Sequence, residues 1–479
     1  MIKKIFTLLF ICLMQTVSSQ ETVLHFKNDL KTSSSFIKDV IPIVNKQTGE
    51  IAFFVADAKN VYGYNIDENF TITDKITSQE KGRKYKVLIG SSASKNDSYR
   101  VFLTNKSQNK FTSIQFSFKD GLTTSKEFTI GKKETFIQTA KYNNQFYLIS
   151  GDKETNELFI YTFDDAGNPK RHRIDISGLR FIDSNVKRTN LLTLLIKKEN
   201  IKKFEENTPN SIQLTSEQRK MYIRNGSILF SLDHHKMFTQ VLQVDLNSFK
   251  ATSFQFRKPA LGKKARRTNS YLNGKNLFTI AVTKEKFSVE ILDFETGNLI
   301  KKYGASKNDS ITFKNSPIIQ EGGLYKGYRE LGKTKRFLKR IATGNTGISV
   351  RKVNNNYHVI IGGYIEQKMN TGMMMPFGGI PIASFGSATV FFNPTQIAFN
   401  SFSNNKATRI ESLFDENFNH VKGEIKKNAF DKMKKKKSNS SGSSTFKPKG
   451  STVFKYKDYY IKTKFDSFSK QFIFKKYTD

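Results

Sequence analysis

The sequence predicts an all-β fold, a β-propeller of about seven blades within a range of six to eight, with helical and low-complexity insertions. Two observations carry the prediction. Strand-forming runs alternate apolar and polar residues and are bounded by Asp, Asn and Gly, the signature of antiparallel hairpins. The same strand, turn, strand, turn, strand unit also recurs from one end of the 479-residue chain to the other. Its clearest copies run over 51–76 (Ile51 to Ile76), 146–174 (Phe146 to Ile174), 228–256 (Ile228 to Phe256) and 277–303 (Leu277 to Tyr303). Weaker copies begin near Arg100 and His358, and a last one runs from Tyr456 to Tyr477. Adjacent copies start roughly 46 to 49 residues apart, the period of a propeller blade, because a small sheet with two apolar faces must be stacked between neighbours. Two stacked β-sandwiches would also give short strands with regular turns, but they do not require one unit along the whole chain.

The elements follow in chain order. Met1-Ile2-Lys3-Lys4 is cationic and residues 5–14 are apolar, too short a run to anchor in a bilayer. With Val17, Ser18 and Ser19 before Gln20, residues 1–19 read as a signal peptide cleaved near Ser19, so the chain is expected to be exported, periplasmic or associated with the cell surface. The single cysteine, Cys12, lies inside that segment behind Phe10 and Ile11, which does not suit a lipoprotein. Cleavage leaves a chain without thiols, which excludes disulfides, thiolate metal sites and cysteine nucleophiles. It also leaves no stretch long enough to span a membrane as a helix.

Residues 20–479 are expected to form the propeller, with the last blade closed by a strand from the opposite terminus at Thr22–Phe26. Insertions are expected at 200–223, 366–388 and 424–450. The first is charged and helix-compatible, with a capping box suggested at Thr215 and Gln218.

At this point the chain resembles exported bacterial β-propellers of the quinoprotein-like or Trp-Asp-repeat-like kind. The shared feature is the strand, turn, strand, Asp-x-x-x-Gly-Asn unit, as at Asp293-Phe294-Glu295-Thr296-Gly297-Asn298. No family signature motif accompanies the shape. Tryptophan is absent, so neither a Trp-Asp dipeptide nor blade-docking tryptophans exist, and the 43 phenylalanines are expected between blades.

Lys and Arg number 79 against 42 Asp and Glu, a formal charge of +37. AT-rich coding explains the lysine but not the deficit of acids. Such a chain is drawn to phospholipid headgroups, lipopolysaccharide phosphates or acidic glycans; its charge would also suit nucleic acid, but export argues against that partner.

Two segments stand out. In 366–388, Met369, Met373, Met374, Met375 and Phe377 form an uncharged, flexible apolar set suited to a partner contact, or to folding back on the ring; nothing fixes a copper geometry. In 424–437, Ile425, Ala429, Phe430 and Met433 give a helical stripe among lysines, with Lys432, Lys434, Lys435, Lys436 and Lys437 as candidates for an anionic surface. The stripe could equally dock on the propeller. Residues 438–450 read as a flexible linker.

No catalytic, cofactor-binding or metal-binding residues emerge, and the cofactor, if any, is not named by the sequence. His234 and His235 are expected at a surface turn beside Asp233. Asn65-x-Asp67-x-Asn69 fails as a calcium loop, because Phe70 stands where glycine is required. The functional expectation is a non-enzymatic binding or scaffold protein of the bacterial cell envelope. The alternatives are a propeller enzyme acting on glycans or of the quinone type, or an accessory subunit of an outer-membrane assembly.

Overall fold

The computed structural model describes residues 21–31, 36–94, 98–197, 199–262, 264–321, 327–365, 393–403, 407–434 and 450–479. The expected signal segment, all of 366–388 and 435–449 therefore lie outside the described residues. Within them the strands form seven sheets of four or five strands, and one two-stranded hairpin.

The first strand, β1 (Glu21–Lys27), takes its place only at the end of the ring. Blade 1 is β2 (Asp39–Val44), β3 (Ile51–Ala56), β4 (Val61–Ile66) and β5 (Ile72–Thr77), paired in that order. Blade 2 is β6 (Val87–Ala93), β7 (Ser98–Thr104), β8 (Lys110–Ser117) and β9 (Leu122–Thr129). Blade 3 is β10 (Thr135–Tyr142), β11 (Gln145–Asp152), β12 (Glu157–Phe163) and β13 (Pro169–Ile174). A long link follows, with the hairpin β14 (Phe181–Ile182) and β15 (Arg188–Thr189), then α1 (Leu191–Leu195), β16 (Lys202–Phe204) and α2 (Ile212–Thr215). Blade 4 joins β16 to β17 (Arg219–Arg224), β18 (Ser227–Leu232), β19 (Phe238–Asp245) and β20 (Ala251–Arg257). Blade 5 is β21 (Arg267–Asn273), β22 (Asn276–Val282), β23 (Lys286–Asp293) and β24 (Leu299–Ser306).

Blade 6 is assembled out of chain order. The hairpin β25 (Ile318–Glu321) and β26 (Tyr328–Leu331) precedes α3 (Thr334–Thr343) and the inner strands β27 (Asn345–Val353) and β28 (Asn356–Tyr364). After α4 (Pro394–Ser403), β29 (Ala407–Phe414) completes the sheet, and β25 pairs with its outer edge through Ile319 opposite Arg409. Past α5 (Ala429–Lys434), blade 7 is β30 (Val453–Tyr456), β31 (Tyr459–Asp466) and β32 (Gln471–Tyr477), and β1 pairs antiparallel with β32. The closing strand expected at Thr22–Phe26 is thus β1, with Phe26 opposite Phe472.

Burial explains the strand patterns. β3 and β4 are buried throughout because neighbouring blades cover both faces, whereas the outer β5, β9 and β13 are mostly exposed and polar. The middle strands carry the continuous apolar runs. Turns follow the same economy of sequence. First and second strands join through tight turns with positive φ, as at Asn143 (45°) and Asn144 (63°), or Asn225 (45°) and Gly226 (73°), the type I′ geometry that Asn and Gly favour. At the third turn an aspartate accepts backbone N–H groups: Asp293 from Thr296 N (2.8 Å), Asp67 from Thr71 N (2.7 Å) and Asp415 from Asn419 N (2.7 Å). The Asp-x-x-x-Gly-Asn unit is therefore a turn device, and the Asp67 carboxylate is occupied by it.

Five apolar clusters show how the ring closes. One joins blades 1 and 2 through Phe54, Leu88 and Phe116, and another joins blades 2 and 3 through Phe102, Phe111 and Phe159. A third unites blade 3 with blade 4 through Ile149, Ile160 and Phe230. A large cluster runs from Leu229 of blade 4 through Phe278 and Ile361 to Tyr460 of blade 7, and a last one sets Phe472 and Phe474 against Phe53 of blade 1. The chain is a β-propeller. Phenylalanine fills the interblade positions as expected: Phe102 stacks on Phe146 across blades 2 and 3 at 4.0 Å and 15°. The fit is close there, because a Cβ on Gly90 would lie 2.2 Å from the Phe146 ring.

Two local expectations need correction. α2 is capped by Ser211, whose Oγ accepts from Leu214 N (3.2 Å), so Thr215 ends the helix instead of starting one, and Gln218 leads directly into β17. The His234–His235 turn is not open to solvent. The β14–β15 hairpin covers it, with His234 Nε2 2.7 Å from Ile182 O, and His235 is buried against Phe238 at 5.3 Å. No described helix is long and apolar enough to cross a membrane.

Candidate functional site

In a propeller the innermost strands surround an axial channel, where loops from every blade converge. Here the chain itself enters that channel. β16 pairs in parallel with β17, setting Lys202 opposite Lys220 and Phe204 opposite Tyr222, on the side of blade 4 that has no other strand.

Side chains from the surrounding blades fix the segment. From blade 3, Gln138 Nε2 donates to Ile201 O (2.8 Å), and Thr139 Oγ1 accepts from Lys203 Nζ (3.2 Å). Asn210 Nδ2 donates to Tyr271 OH of blade 5 (3.0 Å), and Gly274 N donates to Glu206 Oε1 (3.1 Å). Lys352 N of blade 6 donates to Asn207 Oδ1 (2.9 Å), while Thr395 Oγ1 of α4 donates to Glu205 Oε2 (2.5 Å). α2 packs so closely on β27 that a Cβ on Gly347 would lie 2.8 Å from Thr215 Oγ1. Residues 201–216 thus touch the inner strands of blades 3 to 6. Burial pulls the Lys203 amine down to about 7.

A second polar cluster seals blades 4 and 5. Asp233 accepts from Lys220 Nζ (2.8 Å), Ser270 Oγ (2.8 Å) and Thr239 Oγ1 (2.8 Å), and pairs with Lys258 Nζ at 2.9 Å. All three charged side chains have zero exposure. Burial works to raise the Asp233 carboxyl, but Lys220 and Lys258 overcome it and hold the group far below the usual carboxylate range. Nothing can reach this cluster from outside, so its role is to fix the two blades together.

A third cluster crosses blade 6 from its inner to its outer edge. Arg351 pairs with Asp479, His358 Nε2 lies 2.9 Å from Glu411 Oε2, and Arg409 binds both Glu411 (2.9 Å) and Glu321 (2.8 Å). Burial tends to raise Glu411, yet His358 and Arg409 bring it down to about 2. Over this row a cavity of about 40 Å³ is bounded by Ser211, Phe402, Asn428 and Asp431. That is room for about one water molecule, far short of a sugar or a quinone. Among the described residues no three His, Cys, Asp or Glu side chains are arranged to hold a metal ion.

The expected surface residues are placed as follows. Met369, Met373, Met374, Met375 and Phe377, with Lys435, Lys436 and Lys437, lie outside the described residues. Lys432 Nζ donates to Thr478 O (2.8 Å), and Lys434 Nζ sits 4.3 Å over the Phe402 ring, with burial lowering its pKa. The apolar stripe is docked: Ala429, Phe430 and Met433 are buried, and Phe430 meets Phe399, Phe402 and Tyr460 edge-on. The helix begins only at Ala429, because Asn428 and Asp431 cap it reciprocally, Asn428 Oδ1 accepting from Asp431 N (3.1 Å) and Asp431 Oδ2 from Asn428 N (3.2 Å). Ile425 therefore precedes the helix.

The sequence marks 200–223 as an insertion with helical character but not that it lies against the inner strands, and it gives neither charge cluster. One signal was present: Arg409 and Glu411, two apart on one strand, must share a face, and so must Gln138 and Ala140. It does not identify their partners, which come from other blades.

No protein-family model matches the chain, and no curated protein matches it in sequence. Among solved structures it is similar to the Dos1 propeller, at 10% identity and a TM-score of 0.29, with 68% of this chain and 66% of that chain covered. It is similar to Kluyveromyces lactis Hsv2 at the same identity and TM-score, covering 68% of this chain and 72% of that one. A Synechocystis apocarotenoid oxygenase aligns over 59% of this chain and 64% of its own, again at 10% identity and a TM-score of 0.29. The chain thus spans just under two thirds of the Dos1 propeller and of the oxygenase. The propeller assignment rests on the seven sheets and the clusters that join them, and these resemblances are too loose to add a function.

Proposed function

We propose that the protein is exported and serves as a non-enzymatic binding or scaffold propeller of the bacterial cell envelope, working through its outer surfaces. The observation that carries this reading is the filled channel. Residues 201–216 occupy the place where a propeller would hold a small ligand, and hydrogen bonds to four blades, buried at blades 3 and 5, keep them there. A formal charge of +37 draws such a ring to anionic envelope components. Cleavage near Ser19 would leave β1 whole to close blade 7.

Two unusual segments favour a docking role. The Met-rich stretch ends at Asn393, whose Nδ2 donates to Val453 O (2.9 Å), and the Lys- and Ser-rich stretch ends just before Val453. Both therefore rejoin the ring at one place. On this reading Met369, Met373, Met374, Met375 and Phe377 contact a protein partner, and Lys435 to Lys437 face anionic lipid or glycan, while Lys432 and Lys434 are engaged by the ring itself.

The test is to delete residues 369–385 from the exported protein and compare the envelope proteins that co-purify. Loss of specific partners with unchanged thermal unfolding is expected. An unchanged set would sink the partner role, and envelope association that ignores salt would sink the electrostatic one.

A further inference from the structure

Among the described residues two phenylalanines are exposed, Phe36 at 78% and Phe468 at 96%. They are not scattered. Phe36 lies on the link that leaves β1, Phe468 on the turn that enters β32, and β1 ends where β32 begins, with Lys27 opposite Gln471. Both loops also meet at Gly450. A Cβ built there would lie 3.0 Å from Phe465 Cβ and 3.5 Å from Ile37 Cγ2. The two rings therefore stand on neighbouring loops at one end of the propeller, over the seam where blade 7 meets blade 1.

Both rings are flanked by anchored residues. Phe468 N donates to Asp466 Oδ1 (3.0 Å), and after Phe36 the chain is held by the buried Ile37 and the bond from Lys38 N to Ala56 O (2.8 Å). The surrounding charge is net positive. Segments 27–38 and 464–470 contain the lysines at 27, 31, 38, 464 and 470, against Asp29 and Asp466 only. Asp29 is already paired with Lys75 at 2.6 Å.

We propose that this end of the ring is a lipid-docking surface, in which Phe36 and Phe468 enter the headgroup boundary of an anionic bilayer and the neighbouring lysines meet its phosphates. Separate projecting tips in a cationic field suit a soft, deformable, anionic partner, whereas a protein partner would be met by a continuous complementary patch. The inference rests on the envelope reading above, and adds where and how the ring would touch a membrane.

The absence of tryptophan makes the test direct. Phe36→Trp and Phe468→Trp each place a single tryptophan in the chain, excited selectively over its 18 tyrosines, and Leu122→Trp, at a turn at the opposite end of blade 2, serves as the control. With vesicles of phosphatidylcholine and 30% phosphatidylglycerol, emission from the first two should shift to shorter wavelength and be quenched by brominated acyl chains, with the control unchanged. The Phe36→Ser/Phe468→Ser double variant should sediment with these vesicles about tenfold less well at unchanged thermal stability. If the protein sediments with anionic vesicles but both tryptophans stay in water and the double variant sediments normally, this docking mode is wrong and the electrostatic reading survives. No sedimentation on any vesicle would overturn both. If the double variant loses a co-purifying protein while vesicle binding is unchanged, the surface is a protein contact.

Discussion

Asp233→Asn is expected to destabilise the protein by roughly 3–5 kcal/mol, the loss that follows when one partner is removed from a buried ion pair. The carboxylate is the shared counterion of Lys220 and Lys258, and all three side chains have zero exposure. An amide of the same shape would leave two buried ammonium groups without a charge partner. In a chain of this length, unfolding as one unit, such a loss corresponds to a Tm lower by on the order of 4 °C, and urea denaturation would measure it directly. Replacing Lys220 and Lys258 by Met together with Asp233→Leu should recover most of the stability, because the desolvation cost disappears with the charges. The cluster would then be shown to be structural.

Lys203→Met is expected to act in the opposite direction. The Lys203 amine is buried, donates to Thr139 Oγ1, and is pulled by burial down to about 7. An unfolded lysine titrates near 10.4, so between pH 7 and 10 the unfolded chain holds more protons than the folded one, and this residue makes stability rise with pH. Below pH 7 its full penalty applies. The methionine variant should therefore be more stable by roughly 3–4 kcal/mol at pH 7, with the difference closing as the pH approaches 10. Urea midpoints at pH 7 and pH 9.5 would show it; a difference independent of pH would mean that the amine is solvated in the folded chain.

Much of the architecture was legible in the sequence. Each of the seven repeat copies falls on the second and later strands of a different blade: Ile51–Ile76 covers β3 to β5, Leu277–Tyr303 covers β22 to β24, and Tyr456–Tyr477 falls on blade 7. Those strands carry long apolar runs or clean alternation. The inner strands were not legible, because they line the channel with residues such as Ser91, Gln138, Thr139 and Arg351 and so break the apolar pattern. Blade 6 gave only a weak copy, since residues 365–406 separate β28 from β29 and its outer strands β25 and β26 come from earlier in the chain.

The candidate sites were far less legible. Lysine is ordinarily a surface residue, and in a chain with 79 basic residues no local pattern distinguishes Lys203, Lys220 and Lys258 from the solvated majority. Their burial is decided by contacts 13 to 64 residues away in sequence, from Lys220 to Asp233 and from Lys203 to Thr139. The stripe Ala429, Phe430 and Met433 was visible, but only the packing of Phe430 on Phe399 and Tyr460 shows that the ring, and not a membrane, receives it.

Residues 201–216 lie along the inner strands of blades 3 to 6, and on the proposed reading this leaves binding to the outer surfaces. Hydrogen exchange of the Lys202, Lys203 and Phe204 amides in the intact exported protein tests it most directly. Whichever of these amides point at β17 should be as protected as the amides of β17 itself, and should exchange only in the global unfolding of the ring. Exchange as fast as in the exposed turn at Phe468 would show that the segment leaves the channel, and would return the axis of the propeller to consideration as a ligand site.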